Sequence, residues 1–412
     1  MTQSISREVL GPEHQALLLL VDDDPANDEA LATLLRESVD WGALIALAQQ
    51  ERATAELYRR VRSLRGADVP PQDMALLHRL AAVSDFRMLH LEQCLRETFE
   101  VLTSLGTRGM LLKGSALVYS VYGGAFARRP MSDIDVLVDR ARADEAHLTL
   151  LRGRWKKTPV PAADEVYQEY HHHLPPLTDT RGTGVQLELH TALFAHGHPF
   201  ALTPEVLWER SSPLLERHPQ STLRAPLAFV PLLEHQLLHT CIHFAWSHGM
   251  RFGAWRVFRD IRALVRAGGI DWDAFVDMAR ATRSVTSCYW TFRLASSAAG
   301  VRVPGDVECA LRPPLPGAYL RRLERHYLLN LFPAAPPCPS VRLDQTLWSL
   351  GMLPWWSGHG TSRPWDRDES FSPPRDPSQV AGAANRMRQI LRSTEYVGAV
   401  LGLGRFGKLT SR

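Results

Sequence analysis

Arg129-Pro130-Met131-Ser132-Asp133-Ile134-Asp135-Val136-Leu137-Val138 is the stretch from which the fold can be read. Polar and apolar residues alternate after Ser132, and a period of two is that of a β-strand, whose successive side chains point to opposite faces. Asp133 and Asp135 then project together from one face, while Ile134, Val136 and Val138 bury on the other. A second alternating stretch, Val185-Gln186-Leu187-Glu188-Leu189-His190, sets Val185, Leu187 and Leu189 against Gln186, Glu188 and His190. Short strands of this kind between helical stretches predict an α/β region from Leu111 to Leu193.

Outward from that region the period changes to that of helices. Between Pro12 and Phe99, Leu31, Leu34 and Leu35, then Leu44, Ile45 and Leu47, then Met88, Leu91 and Leu95 recur at three-to-four spacing, which predicts a helical lobe. Helical periodicity returns from Leu227 to about Phe275, and Asp271-Trp272-Asp273 opens a further helix. After Val301 the prolines are dense enough to predict irregular chain until about Ala383, followed by a basic, mildly amphipathic tail from Met387 to Arg412. The division expected is a helical lobe over 1–100, an α/β core over 101–200, a second helical lobe over 201–300, and a proline-rich irregular region with its tail over 301–412. The fold class is therefore α+β, a small mixed sheet flanked by helical lobes.

Bulk properties narrow the function classes. A chain of 412 residues exceeds the size at which one core stops growing, so more than one lobe is expected. The 47 basic and 44 acidic residues are mixed along the chain, which lacks the basic bias of a dedicated nucleic-acid binder. Five scattered cysteines without a CxxC pair speak against a disulfide framework or a zinc ribbon. The early apolar run Ala16 to Val21 stops at Asp22-Asp23-Asp24, too short for a signal peptide or a membrane span, so a soluble cytoplasmic protein is expected. Asp24 directly precedes Pro25 and reads as a helix cap, not as a metal ligand.

Two carboxylates on one strand face form a rigid oxygen-rich clamp of the kind that magnesium accepts when substrate phosphates complete its coordination. Glu188, on the polar face of the other strand, is the third acid. Upstream lies Leu111-Leu112-Lys113-Gly114-Ser115-Ala116: Gly114 permits close approach of backbone to phosphate, and the Ser115 hydroxyl with the amides of a helix start can bind its oxygens. Lys113 and Arg129 are nearby cations able to neutralise a triphosphate. An isolated Asp-x-Asp is commonly just a solvated strand face, and Gly-Ser turns are everywhere. The combination carries the reading.

On these residues the chain resembles the polymerase-β-type nucleotidyltransferases, with their Gly-Ser turn, Asp-x-Asp strand and later acid. More narrowly it resembles a bacterial family of uncharacterised nucleotidyltransferases, often encoded beside natural-product or polysaccharide biosynthesis genes. Leu112-Lys113-Gly114, Arg129 through Asp135, and Glu188-Leu189-His190 carry that likeness, which extends from about residue 15 to 275. Two features depart from the pattern: the interval from Ser115 to Asp133 is long, and Glu188 stands where aspartate is common. The resemblance implies a transferase that moves a nucleoside monophosphate from a nucleoside triphosphate such as ATP to a hydroxyl of a small molecule, sugar or peptide. It implies two magnesium ions, with manganese as an alternative, on Asp133, Asp135 and Glu188 as catalytic and metal-binding residues. Lys113, Gly114, Ser115 and Arg129 would contact the nucleotide, with His190 and His173 behind the acids or beside the acceptor. A nucleic-acid acceptor is disfavoured. Sugar transfer from a nucleotide sugar at the same site, or a toxin acting on tRNA or protein, are the alternatives.

His235, His239 and His243 repeat every four residues and suggest a zinc stripe. Glu234, however, precedes the first histidine instead of following it as in zinc hydrolases, so a buried packing stripe is expected.

Overall fold

The computed structural model describes residues 3–160, 167, 171–332, 338, 340–352 and 383–403. Seven strands, β1 (Gly109–Leu111), β2 (Asp133–Val138), β3 (Trp155–Lys157), β4 (Leu177–Asp179), β5 (Gln186–His190), β6 (Ser212–Pro213) and β7 (Ala228–Val230), form one mixed sheet in the order β3-β4-β5-β2-β1-β7-β6. β2 pairs in parallel with β5 and antiparallel with β1, which in turn pairs in parallel with β7. Helices surround the sheet, and the fold is α+β. The sheet takes in β6 and β7, which a boundary at residue 200 leaves out.

Strand alternation sends the two faces of β2 and β5 to different cores. Ile134, Val136, Val138, Leu187 and Leu189 join Met88, Leu91, Leu95, Phe99 and Leu102 of the helix Pro71–Ser104 in one apolar cluster. Each fully buried aliphatic of this kind contributes about 1.5–3 kcal/mol relative to exposure, which fixes the register and hence the face on which the acids stand. That helix has 34 residues, a span of about 51 Å at 1.5 Å per residue, and packs against β2. Leu137, on the other face, packs into the second cluster with Leu237, Leu238, Trp255 and Phe258 of the later helices.

The caps follow local chemistry. Asp24 accepts from the Ala26 amide at 2.9 Å and caps the short turn Pro25–Asn27, and Asp271 caps Trp272–Ala281 through the Ala274 amide. Asp22 is buried against Arg262 and Arg266, which ties the first lobe to the helix Ala254–Ala267.

One expectation is corrected. The proline-rich stretch after Val301 contains the helices Gly305–Leu311, Gly317–Leu329 and Val341–Met352. Pro304 and Pro316 stand immediately before the first two, where a fixed φ and a missing amide hydrogen cost a helix nothing, so they punctuate helices instead of preventing them. The tail forms the helix Ala383–Leu401, and Tyr396 reaches His326 at 2.6 Å, so this helix is docked and not wholly solvated. Residues 353–382 and 404–412 of the expected irregular region and tail lie outside the described residues. Among the described residues no helix is long and apolar enough to cross a membrane.

Candidate active site

The parallel pairing of β2 with β5 puts Asp135 directly opposite Glu188 and Asp133 opposite Gln186. Cross-strand partners point to the same face, so Asp133, Asp135 and Glu188 converge as the alternation predicts, and all three line one cavity of about 370 Å³. Asp135, Glu188 and His190 each present a ligand atom within 4.8 Å of the others. Asp133 stands two residues along the strand, its carboxylate accepting from the Ser132 hydroxyl at 3.0 Å.

The start of the helix Lys113–Ser120 abuts this face. Leu112 donates its amide to the Asp135 carbonyl at 3.0 Å, and the Asp135 amide donates to Ser115 Oγ at 3.2 Å. The serine hydroxyl is thus buried on the strand backbone, locking helix to strand. Gly114 lies against Arg129 and Met131: a Cβ there would stand 3.0 Å from Met131 Sδ and 3.2 Å from Arg129 Nη1. Lys113 has φ 48, a left-handed conformation that only a few per cent of non-glycine residues adopt. Strain of that kind persists where the surroundings over-determine it, and here it delivers Nζ to 2.8 Å from Asp135 Oδ1 and 4.0 Å from Glu188 Oε2.

Charge pairing decides the ionisation of the acids. Burial opposes charge on Glu188, yet the His190 hydrogen bond and the Lys113 ammonium overcome it and hold the carboxyl down at about 2. Asp135 is likewise held below the usual carboxylate range by Lys113 and His190 against its own burial. Lys113 is disfavoured by burial but raised above the ordinary lysine value by Asp135, Glu188 and Asp133. His190 is buried and close to Lys113, both of which lower it; Asp135 at 2.9 Å and Glu188 at 3.4 Å turn the balance upward.

Arg129 lines the cavity, but its Nε and Nη2 are committed to Asp260 at 2.7–3.1 Å, and Asp260 also accepts from Tyr122. Of the other histidines, His172 and His173 reach the cavity; His173 pairs with His190 in an isolated antiparallel backbone bridge, donates Nδ1 to the Leu174 carbonyl at 2.8 Å, and sets Nε2 3.8 Å from Glu188. The stripe divides. His235 and His239 are buried in the helix Leu233–Ile242, His239 edge-on to Phe194, whereas His243 opens a π-helical turn, His243–Ser247, and lines the cavity with His248. None of the stripe falls in a metal-holding group among the described residues.

Sequence reading missed the far wall. Arg52 and Arg256 line the same cavity, contributed by the turn after Trp41–Gln50 and by the helix Ala254–Ala267. Arginines in helical lobes carry no spacing signal, and only the docking of both lobes onto the sheet brings these two to the acids.

An oxygen-rich donor set on a strand face, a helix start beside it and a cationic far wall suit a phosphate ester with its metal ions. No curated protein and no solved structure matches the chain. A family model described as "Uncharacterised nucleotidyltransferase" matches residues 37–300, a span that contains every residue of the cavity, so the chain belongs to that family and is a nucleotidyl-transferring enzyme.

Proposed function

We propose that this enzyme transfers a nucleoside monophosphate from a nucleoside triphosphate to a hydroxyl of a small molecule, sugar or peptide. Asp133, Asp135 and Glu188 act as the catalytic carboxylates and hold magnesium ions, two of them, with manganese able to substitute. The observation that carries this is the cross-strand pairing of Asp135 with Glu188, with Asp133 two residues along the same face of the same cavity. The donor set fits: carboxylate oxygens predominate, and Asp135, Glu188 and His190 stand within 4.8 Å of one another. Divalent ions bound there supply charge neutralisation and a lowered pKa for the attacking hydroxyl.

The remaining steps belong to the chain's own groups. In the transfer, the acceptor oxygen bonds to the α-phosphorus as the bond to pyrophosphate breaks, a reaction governed by positioning and electrostatics. The free amides at the start of the helix Lys113–Ser120, with Gly114 allowing close approach, face the phosphates. Lys113 keeps Asp135 and Glu188 ionised and oriented. His173 donates through Nδ1 to a carbonyl, which can only accept, so its Nε2 carries the lone pair beside Glu188; burial lowers it to about 4 and leaves it neutral, a weak base for the acceptor's proton. The acceptor enters between the helical lobes, beside His172, His243 and His248.

The test is intact-mass analysis of hydroxyl acceptors incubated with each nucleoside triphosphate and Mg²⁺, with and without chelator. A chelator-sensitive mass gain of one nucleoside monophosphate is expected. A gain of one hexose from a nucleotide sugar instead would replace this reading with glycosyl transfer.

A further inference from the structure

The helix Ala254–Ala267 carries a row of arginines against the first lobe, and nearly all have acidic partners. Arg259 lies 2.9 Å from Glu56, and Arg262 and Arg266 close on Asp22. Arg256, on the same helix and nearest the cavity, has no carboxylate within 4 Å among the described residues, and its Nε is buried without a hydrogen-bond partner. Arg52 is in the same condition: it lines the cavity, makes no ion pair among the described residues, and has a buried, unpartnered Nη1. The acid beside both makes its hydrogen bonds to backbone instead. Glu51 accepts from the Gly253 amide at 3.2 Å and the Trp255 amide at 3.0 Å, capping the helix start and drawing Arg52 towards Arg256.

Two further details show that the arrangement is specific. Arg52 has φ 59, where glycine or asparagine would be cheaper if only a turn were needed. Gly253, at φ 72, leaves room for the Arg256 guanidinium, whose Nη2 would stand 3.0 Å from a Cβ there. Burial and then Arg256 push Arg52 down to about 10, with Asp133 opposing, as expected of two cations buried close together.

We propose that Arg52 and Arg256 clamp the terminal phosphates of the nucleotide donor, so that the two helical lobes together complete the polyphosphate site over the acid face. This rests on the transfer reading above for the donor's identity. The cations expected to do this work, Lys113 and Arg129, are paired with Asp135 and Asp260, which leaves Arg52 and Arg256 as cavity arginines without an ion pair among the described residues. A planar guanidinium presents paired donors to phosphate oxygens, and such charge-assisted bonds are the strong ones. The clamp also separates donors: a triphosphate offers a free terminal phosphate, whereas in a nucleotide sugar that position is esterified.

Calorimetry with tripolyphosphate, and with each nucleoside triphosphate and monophosphate, in the absence of divalent ions, tests the clamp. Arg52→Gly and Arg256→Gln should each weaken tripolyphosphate and triphosphate binding at least tenfold and leave monophosphate binding within about twofold. Arg52→Gly relieves the backbone strain, so its thermal midpoint should equal or exceed that of the unsubstituted protein, and Arg52→Lys should recover part of the affinity. Unchanged tripolyphosphate affinity in both variants would overturn the clamp, as would an equal loss for monophosphates, which would move the site to the α-phosphate or to a phosphorylated acceptor. Turnover of Asp135→Asn is measured alongside. Its persistence would remove the acid assignment on which the transfer reading rests, while the tripolyphosphate titrations would still decide the clamp.

Discussion

The Arg129–Asp260 pair allows a quantitative test of how the cavity wall is built. The carboxylate of Asp260 accepts from Arg129 Nε and Nη2 at 2.7–3.1 Å and from the Tyr122 hydroxyl at 2.8 Å. The two side chains are only 12% and 2% exposed, so solvent screens the pair weakly. Asp260→Ala leaves a guanidinium buried without its counter-charge, and removing one partner of a buried pair costs about 3–5 kcal/mol. A loss of 3 kcal/mol lowers the folding equilibrium constant by more than about a hundredfold. Replacing both ends by apolar groups removes the stranded charge, so Arg129→Met with Asp260→Leu should recover to within about 1–2 kcal/mol of the unsubstituted protein. The parent, Arg129→Met, Asp260→Leu and the double variant form the cycle, and with Asp260→Ala alongside they would be unfolded in urea and followed by far-ultraviolet circular dichroism. A coupling energy of at least about 1.5 kcal/mol is expected, towards the upper part of the range for contacting residues. Coupling near zero, or Asp260→Ala unfolding within 1 kcal/mol of the parent, would refute the view that this pair is a buried strut joining the sheet to the helix Ala254–Ala267.

Other outcomes follow from the same geometry. Asp135→Asn should lower transfer by on the order of 10²–10³ or more while the far-ultraviolet spectrum stays native, because the group contributes charge to the site and little to the core; near-normal turnover would remove it from catalysis. His239, pushed by burial to about 3 from an ordinary 6.5, stays neutral in the fold. Its folded pKa is depressed, so the unfolded chain takes the proton first: the share of stability linked to His239 is complete above pH 6.5 and falls by about 1.4 kcal/mol per pH unit as pH drops towards 3. His239→Gln should flatten that slope between pH 6.5 and 4, and an identical slope would show the imidazole to be solvated. Purified protein should carry no stoichiometric zinc by elemental analysis, since magnesium prefers oxygen ligands and the histidine stripe divides between core and cavity. One tightly held zinc per chain, lost in both His239→Ala and His243→Ala, would reopen hydrolytic chemistry.

What the sequence determined by itself is what periodicity encodes. Alternation at Ser132–Val138 and Val185–His190 gave both central strands and the shared face of Asp133, Asp135 and Glu188, because side-chain direction in a strand is a local property of the backbone. The cap at Asp24 was legible for the same reason, since it bonds an amide two residues away. Density of proline was a poorer guide, since its effect depends on whether it stands before a helix or inside one, as Pro304 and Pro316 show. Tertiary structure alone decided the charge partners. Arg129 was legible as a cation near the acids, but its commitment to Asp260 spans 131 residues, and the approach of Arg52 to Arg256 depends on Glu51 capping a helix 202 residues away. The strand face places the acids; the docking of two helical lobes, driven by non-directional apolar burial that leaves no pairwise mark in the sequence, determines which cations are spent as struts and which are left facing the cavity.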